Sequence, residues 1–116
     1  MNELAKESLL FDYYGSLLTE RQQQVMRLYH EDNFSLSEIA AETGISRNAV
    51  YDALKKAERQ LAAYEKKLGL VGKFLKKERQ IQSIRNRLLL LTESETEENR
   101  AKLREILEML DEAEKE

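Results

Sequence analysis

The amino-acid sequence predicts an all-α protein, a small helical bundle with an appended pair of helices. The chain has 116 residues, no proline and only four glycines, and its abundant residues, such as Leu, Glu, Lys and Ala, favour helices. Apolar residues recur every three or four positions along most of the chain, as they do on the buried side of an amphipathic helix.

An opening helix and a turn are predicted by the apolar stripe from Leu4 to Leu18, which is interrupted near Gly15. A second helix is expected after Thr19, because residues 19–22, Thr-Glu-Arg-Gln, have the form of a capping box. In that motif the first side chain accepts a hydrogen bond from the fourth backbone amide, and the fourth side chain reaches back. The polar run at residues 31–33 ends this helix.

The central segment predicts a short helix followed by a long one. Residues 35–38, Ser-Leu-Ser-Glu, form a second capping box, and Gly44 can take the left-handed conformation that stops a helix. Ser46 then caps a helix of about 21 residues that continues to Gly69. Its predicted buried face consists of Val50, Leu54, Ala57, Leu61 and Tyr64.

Two more amphipathic helices are predicted beyond Gly69. Gly69 and Gly72 indicate a hinge, which divides the chain into a first domain, residues 1–67, and a two-helix extension, residues 68–116. The polar segment 92–98 separates the two helices and begins the second, since carboxylates favour a helix N-terminus. Their apolar positions are Phe74, Ile81, Ile84, Leu88, Leu91, Leu103, Ile106, Leu107 and Leu110.

The C-terminal extension predicts self-association. Two amphipathic helices bury one another only in part, so sharing or exchanging them between two copies removes the remaining apolar surface from water. We therefore expect a homodimer formed through the C-terminal helices. The alternative is a hairpin that packs on the first domain of the same chain.

Charge is distributed unevenly along the chain. The net charge is −3, but residues 68–91 carry six basic and one acidic side chain and residues 92–116 carry four and ten. An acidic total argues against unspecific coating of nucleic acid, so any DNA contact must come from a local basic surface. The basic cluster of residues 73–87 is either such a surface or the partner of the acidic residues 93–98.

Composition also bears on the classes of function. With no cysteine and one histidine, His30, the chain has too few ligands for a conventional zinc or histidine-based catalytic site. We interpret His30 as a residue at a helix end, where a cation suits the helix dipole. The N-terminus lacks a signal-peptide core and no segment has the apolar length of a membrane span. A cytoplasmic protein that is not an enzyme, without cofactor, metal or membrane insertion, is expected.

The segment 36–55 has the pattern of a helix-turn-helix. That motif needs a small residue where its helices cross, a glycine in the turn and apolar anchors, and Ala40, Gly44, Ile45 and Val50 meet these needs in order. Together with Leu-Thr-Glu-Arg-Gln at residues 18–22, the pattern over residues 17–61 resembles region 4 of sigma factors.

The whole chain is similar to the YlxM family of helix-turn-helix proteins. The residues that carry the resemblance are Phe-Asp-Tyr-Tyr at 11–14, the segment 18–22 and Ser-Glu-Ile-Ala-Ala-Glu-Thr-Gly-Ile-Ser-Arg-Asn-Ala-Val-Tyr-Asp at 37–52. The resemblance implies a bacterial regulatory or accessory protein, because members are encoded beside the GTPase components of the signal recognition particle. It thus implies a role in, or regulation of, that pathway.

The candidate DNA-binding residues lie at the start of the long helix, on the side away from its apolar stripe. Arg47 suits guanine edges, Asn48 adenine edges and Tyr51 a thymine methyl group or a phosphate. We predict that double-stranded DNA is bound by Ser46, Arg47, Asn48, Tyr51, Lys55 and Lys56.

Two functions remain open for this motif. Asp52 is unfavourable on a DNA-binding surface, because a carboxylate there repels phosphate unless it accepts a hydrogen bond from the amino group of cytosine. The first function is a dimeric DNA-binding regulator. The second is an accessory protein that contacts components of the signal recognition particle and keeps the helix-turn-helix as a scaffold.

Overall fold

A computed structural model describes residues 3–94 and 96–115 of the chain. Within these ranges it contains six α-helices, a 3₁₀ turn at Gly15–Leu17 and no β-strand, which confirms the predicted all-α class. The helices are α1 (Glu3–Tyr14), α2 (Glu20–His30), α3 (Leu36–Thr43), α4 (Arg47–Leu68), α5 (Leu70–Ser94) and α6 (Glu97–Glu114).

Both predicted capping boxes are present. At the start of α2, Thr19 Oγ1 accepts from the Gln22 amide at 3.2 Å and Gln22 Oε1 accepts from the Thr19 amide at 3.0 Å. At the start of α3, Ser35 Oγ accepts from the Glu38 amide at 3.1 Å and Glu38 Oε1 accepts from the Ser35 amide at 3.0 Å. These bonds satisfy amides that have no partner inside the helix, and so fix where each helix begins.

The chain forms two compact units, one ending at Gly72 and the other beginning at Lys73. In the first unit, α4 contacts α1, α2 and α3. This contact buries the core, because the apolar stripes of the four helices meet there. The buried apolar side chains are Leu10, Tyr14, Leu18, Val25, Met26, Ile39, Val50, Leu54, Ala57, Leu61 and Val71.

Helices α4 and α5 are separated by a single residue. Gly69 ends α4 with a φ of 66°, in the left-handed region that glycine adopts without strain. Gly72 lies inside α5 rather than at a break. The first compact unit therefore includes the start of α5, five residues beyond the boundary at 67 that the sequence predicts.

Two side chains cap the N-terminus of α5. The Tyr14 hydroxyl accepts from the Leu70 amide at 3.0 Å and donates to Glu65 Oε1 at 2.5 Å. The Glu65 carboxylate accepts from the amides of Val71 and Gly72 at 3.0 and 2.9 Å. The first three amides of α5 are thus satisfied by residues of α1 and α4, which ties this turn of helix to the first unit.

The second unit is an antiparallel hairpin made from α5 and α6. Arg85 in α5 donates to Asp111 at 2.8 Å and also bonds Glu114, near the end of α6. Leu91, near the end of α5, lies beside Leu103 in the first half of α6. Among the described residues of this unit, no side chain is buried from solvent as those in the core of the first unit are.

The turn of the hairpin is shorter than the sequence predicts. Residues 92–94 belong to α5, and α6 begins after Thr96, whose hydroxyl accepts from the Asn99 amide at 3.3 Å. Glu95, also part of the predicted turn, lies outside the described residues. No helix in the described ranges combines the length and the apolar character that a membrane span requires.

Candidate nucleic-acid interface

A tight turn joins α3 to α4 and sets the angle between them. Gly44 ends α3 with a φ of 74°, and its amide donates to the Ala40 carbonyl at 2.9 Å. Ser46 caps α4 by accepting from the Ala49 amide at 3.0 Å. The three residues 44–46 thus form the turn of the helix-turn-helix that the sequence predicts.

Buried anchors hold the motif against α2. Ile39 in α3 and Val50 in α4 are both 0% exposed, and Leu54 is 3% exposed. The Arg21 side chain of α2 donates to the Thr43 carbonyl at 3.4 Å, at the C-terminal end of α3. Because the inner side of α4 is fully used in packing, its outer side is presented to solvent in a fixed orientation.

All six predicted DNA-binding residues lie on exposed surface at the start of α4. Asn48 and Lys55 follow one line along the outer side of the helix, since they are seven residues apart. Asp52 lies between them on that line, and Arg59 continues it one turn further on. Residues Ser46, Arg47, Tyr51 and Lys56 flank the line and are also exposed.

Arg59 is a candidate residue that the sequence reasoning missed. It is exposed, and it lies four residues after Lys55 and so above it on the same side of α4. The signal is available in the helical spacing, but the predicted set ends at Lys56, in the third turn of the helix. With Arg59, the outer side of α4 offers four cations: Arg47, Lys55, Lys56 and Arg59.

Lys55 differs from the other three cations because its charge already has neighbours. Its Nζ lies 3.5 Å from Glu58 Oε2 and 5.6 Å from the centre of the Tyr51 ring. An exposed pair of this kind contributes little to stability, yet it holds the ammonium group between a carboxylate and an aromatic face. The Lys55 ammonium group must break its ion pair with Glu58 before it can fully neutralise a phosphate.

The start of α4 is a favourable point for a phosphate. Helices α2, α3 and α6 carry acidic residues in their first turns, whereas the first turn of α4 carries none and begins with Arg47. The free amides of a helix N-terminus attract anions. Asp52 and Glu58 oppose this attraction one to three turns later, so the basic character is local rather than general.

Titratable groups elsewhere in the first unit do not form a second site of recognisable chemistry. Burial raises the pKa of Glu7, the Glu58 carboxylate raises it further, and His30 partly opposes them. His30 is the last residue of α2. In the described ranges, no three His, Cys, Asp or Glu side chains lie close enough together to hold a metal ion.

Among known protein families, one family model matches residues 1–112 of the chain. It is described as "Putative helix-turn-helix protein, YlxM / p13 like". A UPF0122 protein of Desulforamulus reducens is 50% identical over 88 residues, covering 76% of this chain and 75% of that protein. The UPF0122 protein of Halalkalibacterium halodurans is 46% identical over 85 residues, covering 73% and 78%. That of Bacillus mycoides is 40% identical over 111 residues, covering 96% and 99%.

Proposed function

Because the chain belongs to the YlxM/p13-like family of helix-turn-helix proteins, we propose that it is a DNA-binding regulatory protein of the cytoplasm and not an enzyme. The observation that carries this proposal is the exposed outer side of α4, where four cations and Asn48 stand on a helix whose inner side is fully packed. A helix presented in this way fits the major groove of B-DNA, which is about 12 Å wide.

Each residue has a distinct role in the proposed complex. Arg47 reads guanine through its two parallel donors, and Asn48 reads adenine through its amide. Tyr51 contacts a thymine methyl group or a phosphate. The remaining residues bind the DNA backbone, which sets the position of the helix but carries no sequence information: Ser46, Lys55, Lys56 and Arg59.

The proposed regulator acts as a homodimer through its C-terminal two-helix extension, which the sequence places at residues 68–116 and whose compact unit begins at Lys73. The absence of a buried side chain among the described residues of α5 from Lys73 onward and of α6 supports this proposal. An unshared hairpin leaves most of its apolar surface in water, at a cost of about 25 cal/mol per Å². Two copies would also match the two-fold symmetric sites that helix-turn-helix proteins favour.

Arg47→Ala and Asn48→Ala are each expected to weaken specific DNA binding by about 1–3 kcal/mol. Lys56→Ala and Arg59→Ala are expected to weaken binding to all duplexes alike and to lower the salt slope by about 1 each. The measurement is a titration at two salt concentrations, using duplexes selected from a randomised pool. All four side chains are exposed, so the variants are expected to keep the wild-type circular dichroism.

Lys66→Ala is the matched control, because Lys66 is an exposed cation in the last turn of the same helix. It is expected to leave the affinity for the selected duplex unchanged. Wild-type binding that does not distinguish the selected duplex from random DNA would remove the base-reading role. So would unchanged affinity in Arg47→Ala.

A second candidate function is that of an accessory protein of the signal recognition particle system, with the helix-turn-helix used as a scaffold for protein contact. The exposed carboxylate of Asp52, in the middle of the outer side of α4, favours this candidate because it repels phosphate. Binding of the full chain to purified signal recognition particle components, without salt-dependent affinity for duplex DNA, would support it over the first.

The first domain is expected to need residues beyond 67. A chain that ends at residue 76 is expected to be about 1–3 kcal/mol more stable than one that ends at residue 67. Val71 is 2% exposed, and the amides of Leu70 to Gly72 bond Tyr14 and Glu65. Urea unfolding of the two shortened chains measures the difference. Equal midpoints would place the domain boundary where the sequence predicts it.

A further inference from the structure

One face of the α5/α6 hairpin carries apolar side chains that remain about half or more exposed to solvent. The seam between the two helices is formed by half-buried residues, Ile81, Arg85, Leu88, Leu103, Leu107 and Leu110. Ile84 and Leu91 in α5 are 50% and 48% exposed, and Ile106 and Met109 in α6 are 45% and 71% exposed. These four side chains are called the hairpin face below.

The four side chains of the hairpin face lie on the same side of the hairpin. Ile84 and Leu91 are seven residues apart and therefore on one side of α5. Lys102, Ile106 and Met109 follow at spacings of four and three and share one side of α6. Leu91 and Lys102 line the same shallow depression between the helices. The exposed residues of α5 and those of α6 therefore lie on the same side of the hairpin.

The opposite side of α6 has a different character. There Glu97 forms ion pairs with Arg100 at 3.4 Å and Arg104 at 3.3 Å, both within the same helix. Charged side chains that are already paired in solvent are a poor surface for apolar association. The hairpin face, by contrast, gathers four exposed apolar side chains on one side and gains from being covered.

Charges along the edges of the hairpin face are complementary between the two helices. Arg87 on the α5 edge and Glu105 on the α6 edge are exposed, and neither has an ion pair in the described ranges. One of the two alternatives that the sequence leaves open is that the acidic residues 93–98 pair with the basic cluster of α5. Instead, Glu97 and Glu98 pair with cations of α6 itself.

We propose that the hairpin face is the surface on which a second copy of this chain docks, with the two-fold axis parallel to the helices so that α5 of one copy lies on α6 of the other. This proposal rests on the dimer put forward above and deepens it by naming the surface and the axis. Apolar contact at the centre and opposite charges at the edges meet the requirements of a self-complementary interface.

The positions of residues along the hairpin fit this axis. Arg85 lies level with Asp111 and Glu114, and Leu91 lies level with Leu103. Rotation about an axis parallel to the helices preserves these levels. It therefore sets Leu91 of one copy about one turn of helix from Ile106 of the other, Ile84 about one turn from Met109, and Arg87 about one turn from Glu105, a separation that the two long charged side chains can span.

A perpendicular axis in the plane of the interface gives a worse match. It would place α5 on α5 and α6 on α6, which brings the basic cluster 73–87 against itself and the acidic residues of α6 against themselves. Like charges facing one another across an interface cost free energy and suppress the arrangement. Charge thus selects between the two possible dimers.

Ile106→Glu tests the surface. The dimer Kd is expected to rise at least ~50-fold, because each dimer then buries two carboxylates in an apolar contact. Leu90→Glu is the matched control: Leu90 is 66% exposed but lies on the side of α5 away from the seam and the hairpin face. Sedimentation equilibrium of the full chain measures both, with circular dichroism as a check on folding. Equal Kd values for wild type and Ile106→Glu would overturn the proposal.

An exchange of the charges at Arg87 and Glu105 tests the axis, independently of the result obtained with Ile106→Glu. Arg87→Glu and Glu105→Arg are each expected to raise the dimer Kd by about tenfold, and the double variant is expected to return it to within about threefold of wild type. Failure of the double variant to recover would overturn the proposed axis.

The outcomes separate this inference from the proposed function. A wild-type chain that is monomeric at ~100 μM overturns the docking surface, since a Kd of ~10 μM would be evident there. DNA binding by α4, titrated independently, can still succeed in that case. If the Ile106→Glu variant still dimerises with the wild-type Kd, the chain is a dimer but the hairpin face is not its interface.

Discussion

Leu61→Ala is expected to lower the free energy of unfolding by about 2–5 kcal/mol, a large part of the roughly 5–15 kcal/mol that stabilises a domain. Leu61 is 0% exposed and belongs to the buried stripe of α4. Its truncation removes apolar contacts and leaves a cavity in the interior. Urea or thermal unfolding of the full chain, followed by far-ultraviolet circular dichroism, measures the loss.

Leu68→Ala provides the comparison within the same helix. Leu68 is the last residue of α4 and is 48% exposed, so the same change of side chain is expected to cost less than about 1 kcal/mol. Similar losses at the two positions would contradict the packing described for the inner side of α4. A large loss at Leu61 alone supports it.

Glu65→Ala is expected to destabilise the first unit by about 1–3 kcal/mol, because the amides of Val71 and Gly72 and the Tyr14 hydroxyl lose their acceptor. Glu42→Ala, at an exposed position of α3, is the matched control and is expected to change stability by less than about 0.5 kcal/mol. Chemical denaturation at neutral pH compares the two variants with wild type. A Glu65→Ala midpoint equal to that of Glu42→Ala would show that the cap of α5 contributes nothing.

The same carboxylate gives the stability a defined dependence on pH. Burial raises the pKa of Glu65, but hydrogen bonds from Tyr14, Val71 and Gly72 outweigh burial and hold it below its ordinary value. The ionised group is therefore favoured in the folded state. Its contribution is fully present above the unfolded value of about 4.3 and is lost as the pH falls through the lower folded value. Glu65→Gln is expected to lack this part of the acid dependence.

Local signals in the sequence were sufficient for most of the fold. The ends of α2, α3 and α4 depend on bonds between residues three or four apart, such as Thr19 with Gln22 and Ser46 with Ala49. The cap of α5 was not predicted, because Tyr14 and Leu70 are far apart in sequence and only the packing of α1 against α4 brings them together. Spacing alone gives no sign of such a contact.

The candidate site, like the fold, is only partly predictable from the sequence. Exposure of Asn48 follows from the buried positions of Val50 and Leu54, which helical spacing reveals. Arg47 lies on the side of Val50 and Leu54 by that spacing, and it is exposed as the first residue of α4. The pairing of Lys55 with Glu58 is not part of the sequence-based prediction, which assigns Lys55 only to DNA contact, although the two residues are three apart. In the hairpin, Ile84 and Leu88 form one apolar stripe in the sequence, whereas Leu88 is half-buried and Ile84, one turn earlier, is 50% exposed.

The early cap of α5 has a consequence for the order of folding during synthesis. Domains fold from the N-terminus as the chain leaves the ribosome, yet the core of the first unit is completed by Val71, which is 2% exposed. The helix-turn-helix emerges before that residue and remains an incomplete intermediate until the first turn of α5 has followed it. Emergence of the first turn of α5 from the ribosome, rather than that of the helix-turn-helix itself, therefore sets the moment at which the core of the nascent domain is complete.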